Sequence, residues 1–209
     1  MKVTIVGAGN MGGGIGARAI AGGHEVELVD RNPEDARALA AELGDGATAL
    51  EPGSSFGGEV VVLALYYGSI AEAVDQYRDE LAGKTVVDIS LPLDWESMDG
   101  FVVAADTSAG EELQKLLPDG TPVVKAFCTT FARTLGTGEK NGVPLDVPLA
   151  GDDDRAKQQV TQLVEDGGMR PIDLGPLRRA RQLENAAFLQ VAAQKPLGTG
   201  FDTALKLLT

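Results

Sequence analysis

Val3-Thr4-Ile5-Val6-Gly7-Ala8-Gly9-Asn10-Met11-Gly12 decides the fold of this chain. Residues 3–6 are β-branched and read as a short strand buried in a sheet. Glycines 7, 9 and 12 follow with the G-x-G-x-x-G spacing, where the strand passes into a helical pattern over 11–21. That string alone is also what a structural glycine-rich turn looks like. Its setting is more informative: it follows a strand, opens a helix, and precedes a second strand over 25–30 that ends in an acid. Gly7 permits a tight turn, Gly9 lets the backbone approach a pyrophosphate, and Gly12 lets the helix pack closely on the sheet. The N–H groups around Asn10 and Met11, at the positive end of the helix, then face phosphate. The segment is therefore expected to bind a dinucleotide.

The acid is Asp30, 18 residues after Gly12, where a carboxylate accepts hydrogen bonds from ribose hydroxyls and repels a 2′-phosphate. Arg31 follows at once, and a guanidinium there clamps a 2′-phosphate. Asp30 favours NAD; Arg31 favours NADP. If Asp30 turns away, Arg31 prevails. The sequence leaves their orientation open.

The rest of the 209-residue chain continues the alternation. Asn32 caps a helix with Pro33 at its first position, and Ala36, Leu39, Ala40 and Leu43 give it an inner face. Residues 60–65 form an unbroken apolar run, as in a strand buried on both faces. Ser69 with Glu72, and Ser108 with Glu111, have capping-box spacing. Strands are expected over 85–90, 122–127, 147–150 and 170–174, with helices over 153–165 and 177–194; Pro148 suggests an edge or short strand. The fold class is α/β: a Rossmann-like, doubly wound, mostly parallel sheet with a short C-terminal α/β extension. No Pro/Ser-rich linker interrupts the chain, so residues 1–209 are expected to form one nucleotide-binding domain, with 140–209 supplying a second, smaller half of the cleft.

A net charge of −13 argues against nucleic acid or an anionic membrane as partner. One cysteine, Cys128, rules out an internal disulfide, and one histidine, His24, leaves no His/Cys metal set. With no signal peptide and no apolar run of spanning length, the expected location is the cytoplasm. The apolar tail, Phe201, Leu205, Leu207 and Leu208, must be covered either by the same chain or by a second copy in a homodimer.

Ligands of such sheets lie beyond the carboxyl ends of the strands. Leu65, Tyr66 and Tyr67 are nominated there, then Ser90, Leu91 and Pro92, then Ala126, Phe127, Cys128 and Thr129. Lys125 is a candidate proton donor or a strand-end lysine paired to a carboxylate. Cys128 is a candidate reactive thiol or a small packed hydrophobe. His24, between two glycines and a strand, reads as structural. Trp95 either covers the cleft or packs on a second subunit.

Taken together, these segments resemble the family of NADP oxidoreductases that depend on the deazaflavin coenzyme F420. The likeness rests on the 7–12 loop, Gly22-Gly23-His24-Glu25-Val26, Val87-Asp88-Ile89-Ser90-Leu91-Pro92-Leu93 and Val124-Lys125-Ala126-Phe127-Cys128-Thr129. It continues through Ala150-Gly151-Asp152-Asp153, Asp173-Leu174-Gly175-Pro176-Leu177 and the tail. The resemblance implies hydride transfer between NADPH, or NADH, and F420 or a flavin-like acceptor. The family commonly has Ser-Arg where this chain has Asp30-Arg31, Asn-Pro in place of Leu91-Pro92, and Asn or His in place of Cys128. Hydride transfer between two such rings asks the protein for position and exclusion of water rather than for an acid. Two other readings stand beside it: an NAD(P)-dependent reductase of a small carbonyl or imine with Lys125 as donor, and a dinucleotide-binding regulator without turnover.

Overall fold

Strand β1 (Lys2–Val6) is the hub of the sheet. It pairs in parallel with β2 (Glu25–Val29) on one side and β4 (Val60–Leu63) on the other. The computed structural model describes residues 1–208. Between β1 and β2 runs α1 (Asn10–Ala21); between β2 and β4 run α2 (Pro33–Leu43) and the three-residue strand β3 (Ala47–Ala49). Beyond β4 come α3 (Ile70–Gln76), α4 (Arg78–Leu81), β5 (Thr85–Asp88), α5 (Ala109–Leu116) and β6 (Val123–Lys125). The short helix α6 (Ala132–Thr137) leads into a hairpin of β7 (Glu139–Lys140) and β8 (Val143–Pro144). The chain then adds β9 (Asp146–Gly151), α7 (Asp154–Asp166), β10 (Arg170–Asp173) and the long helix α8 (Ala180–Leu197).

The eight-stranded sheet has the order β10-β9-β6-β5-β4-β1-β2-β3. The six strands from β3 to β6 are parallel and carry the order 3-2-1-4-5-6 of a doubly wound dinucleotide fold. The β9-α7-β10 unit is parallel within itself but meets β6 antiparallel. Side chains at alternate positions feed two separate cores. Val3, Ile5, Leu28, Val62 and Val87 pack beneath α1, α2 and α7. Val6, Val29, Val61, Leu63 and Val86 pack beneath α3, α5 and the start of α8. Burial on both faces explains why 60–63 reads as an unbroken apolar run.

Several expected boundaries shift for local reasons. The Ser108 hydroxyl accepts the Glu111 N–H, capping α5, and donates to the Glu111 carboxylate, a side-chain bond in place of the reciprocal backbone bond of a capping box. Ser69 makes no such side-chain cap; a 3-10 turn over Tyr67–Ser69 leads into α3 instead. Strand β5 stops at Asp88 because its carboxylate takes the Ser90 N–H. Strand β6 stops at Lys125, and Phe127 turns into the left-handed region at φ 60°. Pro148 sits in a strand with neighbours on both sides, yet β6 pairs only with Ala150 and Gly151. Its missing N–H therefore removes nothing from that ladder. The strand β3 and the β7–β8 hairpin carry no apolar alternation and have no counterpart in the sequence-based expectation.

Among the groups that hold the tail, one carboxylate gathers its last residues. Asp146 at the start of β9 accepts from Arg170 through both oxygens (2.8 and 2.6 Å), from Lys206 Nζ (2.5 Å) and from the Leu207 N–H (2.8 Å). Burial works against its ionisation, but these four donors hold it well below the usual range, at about 2. The folded-state value lies below the unfolded one, so this stability is present above pH ~4 and lost as pH falls through about 2. A shift of this size corresponds to about 2–3 kcal/mol. Thermal melts between pH 5 and pH 2 should show that loss, and Asp146→Asn should flatten it. Leu207 and Leu208 remain exposed, so the docked tail does not cover its own apolar end.

Candidate active site

The crevice opens beyond the carboxyl ends of the parallel strands, over the paired β1 and β4. Gly7 has φ +109°, a conformation a side chain would strain, and its N–H donates to the Val29 carbonyl at 2.8 Å. Gly9 is the N-cap of α1 and supplies no side-chain cap. The first N–H groups of α1, at Asn10, Met11 and Gly12, have no intrahelical acceptor. A Cβ placed on Gly9 would meet nothing within 4 Å, so the backbone there faces open cleft. These features fit a pyrophosphate lying against the loop.

The cleft has a volume of about 1540 Å³. Of the candidates from sequence, Gly7, Gly9, Asn10, Met11, Asp30, Arg31, Leu65, Tyr66, Ser90 and Cys128 line it, as do Leu91 and Trp95. Gly12 acts from behind: it is buried, and its helix passes directly over the Gly7 carbonyl. Pro92, Ala126 and Phe127, expected at the cofactor, are buried and do not reach the lining. The left-handed turn at Phe127 swings its ring into the core, and the Phe127 carbonyl accepts from both the N–H and the hydroxyl of Thr130. Thr130, Phe131, Ala132 and Arg133 take that stretch of wall instead. Only a reversal of the chain after β6 reveals this, and no residue type in the sequence announces it.

Tyr66 is 71% exposed, and Trp95 meets its ring edge-on with centroids 5.8 Å apart at 84°. The pair makes an aromatic rim, and Trp95 therefore belongs to the cleft. Phe201, four residues beyond α8, packs edge-on against Phe131 at 5.2 Å and also lines the cleft.

Asp30 and Arg31 separate clearly. Asp30 Oδ2 accepts the Ala8 N–H at 2.8 Å and Oδ1 accepts the Asn32 N–H at 3.0 Å. The carboxylate thus braces the glycine-rich loop. Arg31 is exposed on the cleft rim and has no ion pair among the described residues.

Lys125 is not the proton donor that one sequence reading made of it. It is fully buried, with Nζ 2.8 Å from Asp88 Oδ2 and 3.1 Å from Glu184 Oε1, and it donates to the Ser90 carbonyl. Burial alone would lower its pKa, but the two carboxylates outweigh that and raise it above the ordinary lysine value. A lysine so held gives up no proton near neutral pH. Glu184 was missed entirely from sequence, because a glutamate within a helix gives no sign that it faces inward. Cys128 is not activated either: desolvation by the surrounding protein pushes its thiol up to about 12, so the nucleophilic thiolate is scarce. His24 sits away from the cleft, its Nδ1 3.0 Å from the Met1 amine and its Nε2 3.2 Å from Asp166. Arg181 pins the loop before α5 through the Ala104 and Thr107 carbonyls and lies over the Phe101 ring. No cluster of His, Cys, Asp and Glu able to hold a metal occurs among the described residues, and no helix among them is long and apolar enough to cross a membrane.

Residues 2–92 match the family described as NADP oxidoreductase, coenzyme F420-dependent. The F420-dependent NADP reductase of Methanocaldococcus jannaschii is 29% identical, over 96% of this chain and 96% of that one. The metalloreductase STEAP3 of Rattus norvegicus is 33% identical over 88% of this chain, which spans only 36% of the length of that relative. A protein from Arthrobacter sp. FB24, provisionally named an F420-dependent NADP-reductase, superposes with a TM-score of 0.86, covering 100% of both chains at 27% identity.

Proposed function

We propose that the chain is a member of the NADP oxidoreductase, coenzyme F420-dependent family, whose model matches residues 2–92, and that it moves hydride between NADP(H) and the deazaflavin F420. The observation that carries this reading is the cleft itself. One edge of it is a dinucleotide loop, and its lining runs on past Ser90, Leu91 and Cys128 to Phe131 and Phe201. Two ring systems laid face to face fit such a space. The reaction transfers two electrons and one proton as hydride from the dihydronicotinamide to the oxidised deazaflavin, which takes a second proton from solvent. The protein's part is to hold the rings in line and keep water from between the reacting carbons. The raised pKa values of Lys125 and Cys128 agree with chemistry that needs no side-chain acid. They weigh against a carbonyl or imine reductase working through Lys125.

Gly7, Gly9, Asn10, Met11 and Gly12 take the pyrophosphate, Arg31 the 2′-phosphate, and Leu65, Tyr66 and Ser90 the other half of the dinucleotide. With Asp30 committed to Ala8 and Asn32, Arg31 is the charged group free to select NADP over NAD. Residues 1–209 act as one nucleotide-binding domain in which the C-terminal part, through Val191, Gly200 and Phe201, closes the cleft. The exposed Leu189, Leu197 and Leu208 support a homodimer, which light scattering would detect. A single free cysteine is in keeping with the reducing cytoplasm.

Mixing the protein with NADPH and oxidised F420 should bleach the deazaflavin absorbance; no change with NADPH or NADH sinks the proposal. Arg31→Ala should weaken NADPH by roughly 10–150-fold, the value of a charge-assisted hydrogen bond, while NADH changes little. Parallel titrations read the ratio.

A further inference from the structure

Beneath the cleft floor three charged side chains are buried together. Asp88 ends β5, Lys125 ends β6, Glu184 comes from α8, and each is 0% exposed. They converge on one residue. Asp88 Oδ1 accepts the Ser90 N–H at 2.8 Å, and Lys125 Nζ donates to the Ser90 carbonyl. Lys125 is itself gripped by Asp88 Oδ2 at 2.8 Å and by Glu184 Oε1 at 3.1 Å. Both backbone polar groups of Ser90 are therefore fixed by the network.

The side chain of Ser90 is treated oppositely. Ser90 is 3% exposed and lines the cleft, yet its hydroxyl has no hydrogen-bond partner among the described residues. A buried hydroxyl without a partner is costly, and native structures rarely leave one. A buried ion cluster is also weak evidence of stabilisation, since apolar packing often serves as well. The two anomalies explain each other if the cluster exists to aim the hydroxyl at a ligand.

The sheet order identifies which part of the ligand. Asp30 and Arg31 follow β2, on one side of β1; Ser90 follows β5, two strands away on the other side. A dinucleotide whose pyrophosphate rests on Gly9 has its adenosine end toward Arg31 and its redox end toward Ser90. We propose that Asp88, Lys125 and Glu184 are positioning residues that hold the Ser90 hydroxyl against a hydrogen-bonding group, such as the amide, on the nicotinamide half of the dinucleotide. This rests on the dinucleotide reading given above.

The test compares two probes: NADPH, and adenosine 2′,5′-bisphosphate, which lacks the nicotinamide half. For Ser90→Ala, NADPH affinity should fall by about 3–10-fold, the size of one hydrogen bond, with the bisphosphate unchanged. Glu184→Gln should reproduce part of that selective loss. In a double-mutant cycle, Ser90→Ala combined with Glu184→Gln should bind NADPH no worse than Ser90→Ala alone, because Glu184 acts through Ser90. Equal losses for both probes, or losses that add, overturn the proposal and leave the cluster with a structural role only. Should Glu184→Gln fail to fold, the two-probe comparison on Ser90→Ala still decides whether the hydroxyl meets the nicotinamide half. Wild-type protein that binds neither probe overturns the dinucleotide reading itself, a result distinct from an unselective loss in the variants.

Discussion

Lys125→Met should be the most damaging single substitution in the core, lowering the free energy of unfolding by about 3–5 kcal/mol. The methionine fills nearly the same space, so packing is not the main loss. The change strips the counter-charge from Asp88 and Glu184, both 0% exposed, and leaves two carboxylates facing each other without water. For a chain of this size the melting temperature should fall by roughly 6–20 °C. Adding Glu184→Gln to Lys125→Met removes one of the stranded charges and should recover part of the loss. The contribution of Lys125 has a definite pH sign. Its pKa is raised on folding, so its stabilisation is complete below the unfolded value of 10.5 and fades only as pH rises through the still higher folded value. Without the lysine, Glu184, whose pKa burial already raises, holds a proton more readily at pH 6 than at pH 8, so the deficit of the variant against wild type should grow over that interval. A Lys125→Met protein as stable as wild type would mean that the buried carboxylates are neutral.

The second large effect separates two glycines of one loop. A Cβ on Gly12 would lie 2.1 Å from the Gly7 carbonyl oxygen, which is backbone and cannot rotate away. Gly12→Ala must push α1 off β1, at about 1–3 kcal/mol of overpacking strain. The N–H groups at the start of α1 move with it, and dinucleotide affinity should fall at least ~100-fold, since both the anion site and its dipole depend on that position. Gly9→Ala is the counterpart. At φ −80° and ψ −172° an alanine is unstrained, and its Cβ meets nothing within 4 Å. It should melt like wild type, yet bind the dinucleotide far more weakly, because the methyl occupies the space the pyrophosphate needs. Calorimetric titration with NADPH beside thermal melts distinguishes the two patterns. A Gly9→Ala protein that binds normally would show that the loop does not carry the phosphates.

The strands and helices around the sheet were legible where burial is two-sided. Val60, Val61, Val62 and Leu63 are fully buried, and a run with no polar residue admits few other readings. Helix α2 was legible through Asn32, whose side chain accepts the Glu34 N–H, and through Pro33. The short strand Ala47-Thr48-Ala49 was not, because it pairs with β2 alone and buries little. The site was legible where it depends on backbone shape, at Gly7, Gly9 and Gly12. It was not legible where it depends on which way the chain turns after a strand: Pro92, Ala126 and Phe127 are buried, Phe131 and Phe201 line the cleft, and the structure chooses the cleft for Trp95.

The sequence by itself determined the α/β alternation, the glycine-rich turn at 7–12 between β1 and α1, and the resemblance that its scattered motifs carry. Those are local properties, set by side-chain period and by which residues tolerate a turn. Three matters were decided only by the tertiary structure. Asp30 bends back to Ala8 and Asn32 and leaves the rim to Arg31. Lys125 is sealed between Asp88 and Glu184. The segment after α8 returns to the cleft through Phe201. Each joins residues from separate elements, in the last two cases dozens of positions apart. A charge's role depends on what surrounds it, and those neighbours are chosen by the packing of the whole sheet rather than by the residues beside it in the chain.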